Sequence, residues 1–297
     1  MGKMKKYSIL LGSVLLLSGL WSCSKMPAEY SNYPDTLSVS EASVPENTPV
    51  YKRTEYIYKD GSRSLNSEEI CDEHDNVIKS DPTDSETDGL SYRVCYRYLY
   101  DENGNVLKKA AYSKDGSLSS YSLNTYNADG TPKAQVQYSH SSSDDLQKKR
   151  YLCYEYDSSG NVTNRKLYEN NGDLSVDISY KYKYDSSGNT ISKTVENNLL
   201  HEIEEKYTYT YDDKGDLVTE KRETPEPFIS ETHMTYDDNG NVISSVTKTT
   251  VASGTTESDT KNTYDDKGRL IRSESYDTAD NSTFVTEYEY EDLEQAE

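Results

Sequence analysis

The sequence predicts an all-β protein, an antiparallel β-hairpin repeat array drawn out as a twisted sheet or a partly coiled β-solenoid. Three observations predict it. Tyrosines of one parity (Tyr92, Tyr96, Tyr98, Tyr100) alternate with other residues, the period of a strand. That run leads straight into Asp101-Glu102-Asn103-Gly104, an acidic turn closed by glycine. The pair of signals then recurs: with the tyrosine of each turn as origin, and Cys71 in the first copy, units begin at 71, 100, 126, 156, 184, 211, 236 and 264. A nearly fixed period of this length marks units stacked on their neighbours.

The N-terminus reads as an address. Lys3, Lys5 and Lys6 precede the apolar run Ile9 to Trp21 and then Ser22-Cys23, the layout of a secretory leader too short to span a bilayer. Leu20-Trp21-Ser22-Cys23 resembles a bacterial lipobox, although Trp21 stands where that pattern carries a small residue. The resemblance implies a lipoprotein signal peptide over residues 1–22 and a lipid on Cys23 that holds the exported chain to a membrane. Ser24 after the cysteine implies the outer membrane or cell surface. Residues 23–50 hold Pro27, Pro34, Pro45 and Pro49 among Ser, Glu and Asn without a sustained period, and are expected to be a flexible tether.

Residues 51–297 form the expected repeat domain. Its tyrosine-aspartate-glycine sets are Tyr100, Asp101 and Gly104; Tyr156, Asp157 and Gly160; Tyr184, Asp185 and Gly188; Tyr211, Asp212 and Gly215; Tyr236, Asp237 and Gly240; and Tyr264, Asp265 and Gly268. The Asp side chain caps a type I turn, and Gly supplies the positive φ that lets the chain re-enter as a bulged hairpin. An apolar residue two positions beyond Gly (Val106, Val162, Leu217, Val242, Leu270, with Thr190 the exception) is placed to meet the incoming tyrosine across the strands. A looser second turn lies between the main ones, at Asp60-Gly61, Asp115-Gly116 and Asn171-Gly172, so each unit is two strands and two turns. Tyr288 and Tyr290 begin a ninth unit that has no second half. Asn198 to Lys206 is the one stretch that tempts a helical reading, and its neighbours argue for strand.

These units resemble the RHS/YD repeat family, most closely YDDKGRLIRSESY at Tyr264 and YDENGNVL at Tyr100. The resemblance covers most of residues 51–297 and implies a β-sheet shell of the kind found in polymorphic toxins and carbohydrate-binding surface proteins. The chain is much shorter than an encapsulating shell and shows neither a core-processing segment nor a cargo domain, so a toxin cocoon is not expected.

Composition narrows the function. The chain has 29 Tyr against 2 Phe, so the abundant large side chain carries a hydroxyl that needs water or a partner. From Cys23 onward there are 53 acids against 29 bases, a surface that repels phosphate backbones and disfavours nucleic acid. Cys71, Cys95 and Cys153 allow at most one disulfide within the chain, and parity puts Cys95 and Cys153 on the face away from the tyrosines. The four His are scattered and no CxxC pair exists, so no metal and no cofactor are expected. The acidic turns are expected to cap hairpins rather than to hold calcium. No nucleophile elbow, HExxH or phosphate loop is present, and no two carboxylates stand out as a catalytic pair. Tyr154, Tyr182 and Tyr209 are the candidate platform on which a sugar ring would stack; the alternative is that they are ordinary sheet packing. The expected protein is therefore an envelope-anchored, non-catalytic lipoprotein presenting a Tyr-rich surface to a glycan or protein ligand. A spacer without a specific ligand is the alternative, and a glycan-degrading enzyme is the remotest reading.

Overall fold

The computed structural model describes residues 26–59, 61–82, 94–113, 115–140 and 145–293. The leader, Cys23 and Tyr92 lie outside the described residues. A strap leads in, made of a 3-10 turn over Ala28–Asn32, the two-residue strand β1 (Thr36–Leu37) and the single-turn helix α1 (Val39–Ala42). The strands that follow are β2 (Tyr51–Lys59), β3 (Ser62–Cys71), β4 (Val77–Pro82), β5 (Val94–Tyr100), β6 (Val106–Tyr112), β7 (Leu118–Tyr126), β8 (Pro132–Ser139), β9 (Leu146–Tyr156) and β10 (Val162–Glu169). They continue as β11 (Leu174–Tyr184), β12 (Thr190–Asn197), β13 (Glu202–Tyr211), β14 (Leu217–Glu223), β15 (Ile229–Tyr236), β16 (Val242–Val251), β17 (Gly254–Tyr264), β18 (Leu270–Asp277) and β19 (Ser282–Asp292).

Antiparallel order holds throughout, as the hairpin repeats predict. A solenoid does not form, and the sheet is not open. β2 to β19 make a closed 18-strand barrel in chain order. β19 pairs with β2 from Val285↔Tyr58 to Asp292↔Tyr51, so β2 supplies the second half that the ninth unit lacks. Closure satisfies the two edges an open array would expose. Eighteen strands enclose more space than side chains fill.

The repeat turns collect at one rim. At Asp101 the backbone N–H donates to the Asn105 carbonyl (2.9 Å) and the Gly104 N–H to the Asp101 carbonyl (3.1 Å). Asp101 Oδ1 accepts from the N–H groups of Asn103 (2.9 Å) and Asn105 (2.8 Å). Asp157, Asp185, Asp212, Asp237 and Asp265 repeat that side-chain cap. The six glycines have φ between 78° and 91°, and in the decayed first copy Asp75 takes that place at 60°. The described turns between the repeat hairpins, such as β10–β11, β12–β13, β14–β15 and β18–β19, form the opposite rim.

Register carries the turn tyrosines to a single face. Each pairs across its own hairpin with the residue two past the glycine, as in Tyr100↔Val106, Tyr211↔Leu217 and Tyr264↔Leu270. The carbonyl of that same residue lies beyond the ladder to the next strand, and the next unit's phenol caps it. Tyr126 donates to Val106 (2.9 Å), Tyr211 to Thr190 (2.8 Å), Tyr236 to Leu217 (2.7 Å), Tyr264 to Val242 (3.0 Å) and Tyr290 to Leu270 (3.0 Å). The tyrosine repeat is thus a hydrogen-bonded stitch along the rim, satisfying a hydroxyl and an orphan carbonyl together.

The hydrophobic core lies on the opposite face, and only in one sector. Residues 26–50, expected as a flexible tether, are instead a strap packed on that face of β6 to β10. Tyr30, Ala42 and Val44 from the strap join Ala110, Tyr112, Leu118, Tyr121, Val136, Tyr138, Leu146, Tyr151 and Tyr168. Polar contacts hold it there. β1 pairs with β9 at Thr36↔Gln147 and Leu37↔Leu146. The buried Lys148 ammonium donates to the Tyr33 carbonyl (3.0 Å), pairs with Asp35 (3.1 Å) and sits 3.9 Å from the Tyr30 ring centre. Farther along, Asn47 bonds both the N–H and the C=O of Tyr98 at the side of β5 that faces β4. Proline and low hydropathy disguise this segment, because two helical turns and a few anchors replace any periodic pattern.

Where the strap is absent the two faces differ. Ser258, Thr260 and Asn262 on the tyrosine face are half-buried, whereas Asp259, Lys261 and Thr263 are exposed, and β13 alternates likewise. A concave wall is the more occluded one, so the tyrosine face lines the barrel and the strap face is its outside. That outside exposes Lys206, Thr208, His233, Lys248, Asp259 and Lys261, and among the described residues the bare strands β13, β15 and β17 carry mainly polar side chains there.

Candidate functional site

The inner wall carries a concavity of about 750 Å³ over β5 to β10, lined among others by Tyr96, Lys109, Ser122, Gln135, Gln137 and Arg150. Strand register builds it. Tyr98↔Lys109, Lys109↔Ser122, Ser122↔Gln137 and Gln137↔Arg150 are successive cross-strand pairs, so the row runs across five strands on one face. The row is polar because these strands bury their apolar parity on the other face, under the strap. The concavity therefore sits on the one stretch of wall that the hydrophobic core braces from behind.

Its polar groups are ordered. Gln137 Nε2 donates to Gln135 Oε1 (2.5 Å), Gln135 Nε2 to Asn124 Oδ1 (2.8 Å), and Asn124 Nδ2 to the Val106 carbonyl (2.7 Å). Such a chain orients each amide and leaves its second hydrogen pointing elsewhere. Lys109 Nζ lies 4.3 Å from the Tyr96 ring centre and 5.4 Å from that of Tyr98. Burial lowers its pKa, and among the described residues no carboxylate pairs with it. Arg150 pairs with Glu169 at 3.4 Å, while Lys149 donates to the Gln147 side-chain oxygen at 3.5 Å. In a chain of formal charge -21 this patch is locally basic.

The expected platform lies elsewhere. Tyr154, Tyr182 and Tyr209 stand on β9, β11 and β13 of the same inner face, half-buried and away from the concavity. Tyr182 donates to the Val162 carbonyl (3.0 Å), and Tyr209 stacks on Tyr207 with ring centres 6.1 Å apart. Burial raises the pKa of all three. They are parts of the wall, each committed to a neighbour. The turn residues, Tyr100 to Gly268, sit at the rim and do not converge. Cys71, Cys95 and Cys153 form no disulfide among the described residues, and the last two lie on the strap side of the sheet. Among the described residues no group of three His, Cys, Asp or Glu gathers as a metal site.

Sequence reasoning missed Gln135, Gln137 and Lys109. Their one signal is parity: Gln135 and Gln137 alternate with buried Ala134, Val136 and Tyr138 in β8. That alternation marks a strand with one wet face but not which wet face is concave.

No family model and no curated protein matches the sequence. Solved structures give distant likenesses. A porin-like protein from Bacteroides uniformis shares 10% identity over 84% of this chain and 100% of its own, with a TM-score of 0.41. A porin-like protein from Bacteroides vulgatus shares 11% over 81% and 98%, with a TM-score of 0.31. The TcdB2-TccC3-Cdc42 crystal structure shares 14% over 80% of this chain at a TM-score of 0.33, and the chain spans 15% of that protein's length. With every TM-score below 0.5, none of these likenesses informs the site.

Proposed function

We propose that this chain is an envelope lipoprotein, lipidated at Cys23, whose barrel binds an oligosaccharide on its inner wall without chemical turnover. The observation that carries this reading is the strap-backed concavity: an aromatic ring, an oriented amide row, serines, a Lys109 ammonium with no carboxylate partner among the described residues, and Lys149 and Arg150 beside it on one stretch of wall. Amides and hydroxyls match the alternating donors and acceptors of a sugar, and Tyr96 offers a ring face for its C–H surface. The cations favour acidic sugars. The lining offers no deep apolar slot for a side-chain anchor, which argues against a protein ligand at this place. A polar outer wall supports anchoring at a membrane rather than insertion in it. The YDxxG units, their resemblance to RHS/YD repeats and the lipobox support an envelope setting.

A glycan array with the purified barrel, followed by calorimetry on the best ligand, tests the reading. Saturable binding that weakens at least tenfold in both Lys109→Gln and Gln137→Ala, with unchanged circular dichroism, is the expected result. Absence of binding to any glycan by a folded protein leaves the spacer reading in its place.

A further inference from the structure

The two rims differ in a way that neither the strands nor the concavity require. At the repeat-turn rim the tips are Asp, Asn, Ser, Lys and Gly, with paired acids at Asp212-Asp213, Asp237-Asp238 and Asp265-Asp266. The opposite rim carries bare apolar side chains at its turns and strand ends. Leu199 and Leu200 at the β12–β13 turn are 45% and 63% exposed, and Phe284 at the start of β19 is 58% exposed. Smaller exposures of 36% to 40% occur at strand ends of both rims, at Ile203, Ile229, Val251 and Tyr276 here and at Leu99, Ile191 and Ile243 beside the repeat turns, so the difference between the rims rests on Leu199, Leu200 and Phe284. A solvated turn has no need of Leu-Leu at its tip, where Asn and Asp serve the backbone better.

The strap enters at that same rim. Met26 packs against the β10–β11 turn, its Cε 2.9 Å from where a Cβ on Gly172 would stand. Cys23 is three residues upstream, so its Cα is held within about 11 Å of Met26 by chain length alone. The strap after Met26 is docked rather than slack, which leaves no long tether to let the barrel turn over.

We propose that the rim bearing Leu199, Leu200 and Phe284 rests on the lipid surface, with the repeat-turn rim pointing away from it. The inference rests on the lipid at Cys23 that the proposed function includes. Short anchor, apolar tips and acidic far rim all favour this orientation: the tips enter the headgroup layer, and the acidic turns stay clear of anionic lipid. The barrel mouth at the far rim is then open to the medium.

The test places a single tryptophan at either rim of the full-length, lipidated protein, because the chain's one Trp, Trp21, departs with the leader. Leu200→Trp, Phe284→Trp and Lys267→Trp proteins are reconstituted in phosphatidylethanolamine–phosphatidylglycerol vesicles with brominated acyl chains. The mature N-terminus of each is weighed by mass spectrometry. Quenching at 200 and 284 at least threefold that at 267, with a blue shift, is the expected result. Equal quenching at all three sites, or stronger quenching at 267, overturns the orientation while leaving lipidation intact. A mass without lipid on Cys23, in protein that fails to float with the vesicles, overturns the anchoring reading and the orientation with it.

Discussion

The sector from β5 to β10 and the sector from β12 to β18 share a turn, a strand length and a register, yet they are stabilised differently. Under the strap, Tyr138, Leu146, Tyr151 and Tyr168 are at most 1% exposed, and the sheet is covered on its outer face. In the bare sector outward apolar side chains stay in water, Ile229 and Val246 each at 37%. There the wall relies on ladder hydrogen bonds, capped turns and the tyrosine stitch. The comparison teaches that the repeat specifies a wall, while the strap gives one part of it a packed core. The concavity lies in that part, where a proposed site would have packing behind it to hold its geometry.

The largest effect should cross both sectors. Tyr98 and Tyr121 in the backed sector, Tyr184 on β11 between the two, and Tyr207 in the bare one are each pushed up to about 12, chiefly by burial. For the last two, hydrogen bonds to Asp157 and Glu205 add to it. The folded state thus holds these protons longer than the unfolded chain, whose tyrosines titrate near 10. Stability is intact below about pH 10 and falls as pH rises towards 12. Alkaline titration should show tyrosinate absorbance appearing together with loss of the β circular dichroism signal. Gradual tyrosinate formation in a barrel that keeps its signal would contradict the burial of these four phenols.

Next comes a pair of truncations that sets one sector against the other. Leu146→Ala leaves a cavity under the strap and should cost about 2–5 kcal/mol in urea unfolding. Val246→Ala removes a side chain already in water and should stay within about 0.5 kcal/mol. Similar losses at both sites would mean that the strap adds no stability of its own. The turns make the converse case. A Cβ at Gly130 or Gly240 meets nothing within 4 Å, and both glycines have φ near 84°. Alanine at either should cost about 1 kcal/mol through backbone conformation alone, equally in the two sectors.

Much of the wall was legible in the sequence, because a glycine at fixed distance from Tyr-Asp states turn type, register and face in one short string. Closure was not. The β19–β2 pairing joins the two ends of the domain, and no local residue pattern marks strands that meet across 230 positions. The strap was hidden for another reason: its anchors Tyr30, Leu37, Ala42 and Val44 follow no period, since a turn, a bridge and a short helix present them in succession. For Tyr154, Tyr182 and Tyr209 the sequence leaves platform and sheet packing open, because a strand pattern shows parity but not the neighbour that each phenol or ring meets.

The smallest effect is the sharpest probe of the strap. Tyr30 is 3% exposed, its ring lies edge-on to Tyr151 with centres 5.2 Å apart, and its hydroxyl is buried without a hydrogen-bond partner. A hydroxyl in that position has lost water and gained nothing, so its removal should not weaken the fold. Tyr30→Phe keeps the ring, its edge contact and the face turned to Lys148. Stability should be unchanged or higher by up to about 1 kcal/mol, read from the urea midpoint at constant slope. A loss of more than that would mean that the hydroxyl does hold a partner in solution, adding one more polar contact to those of Lys148, Asn47, Tyr112 and Tyr138 with the strap.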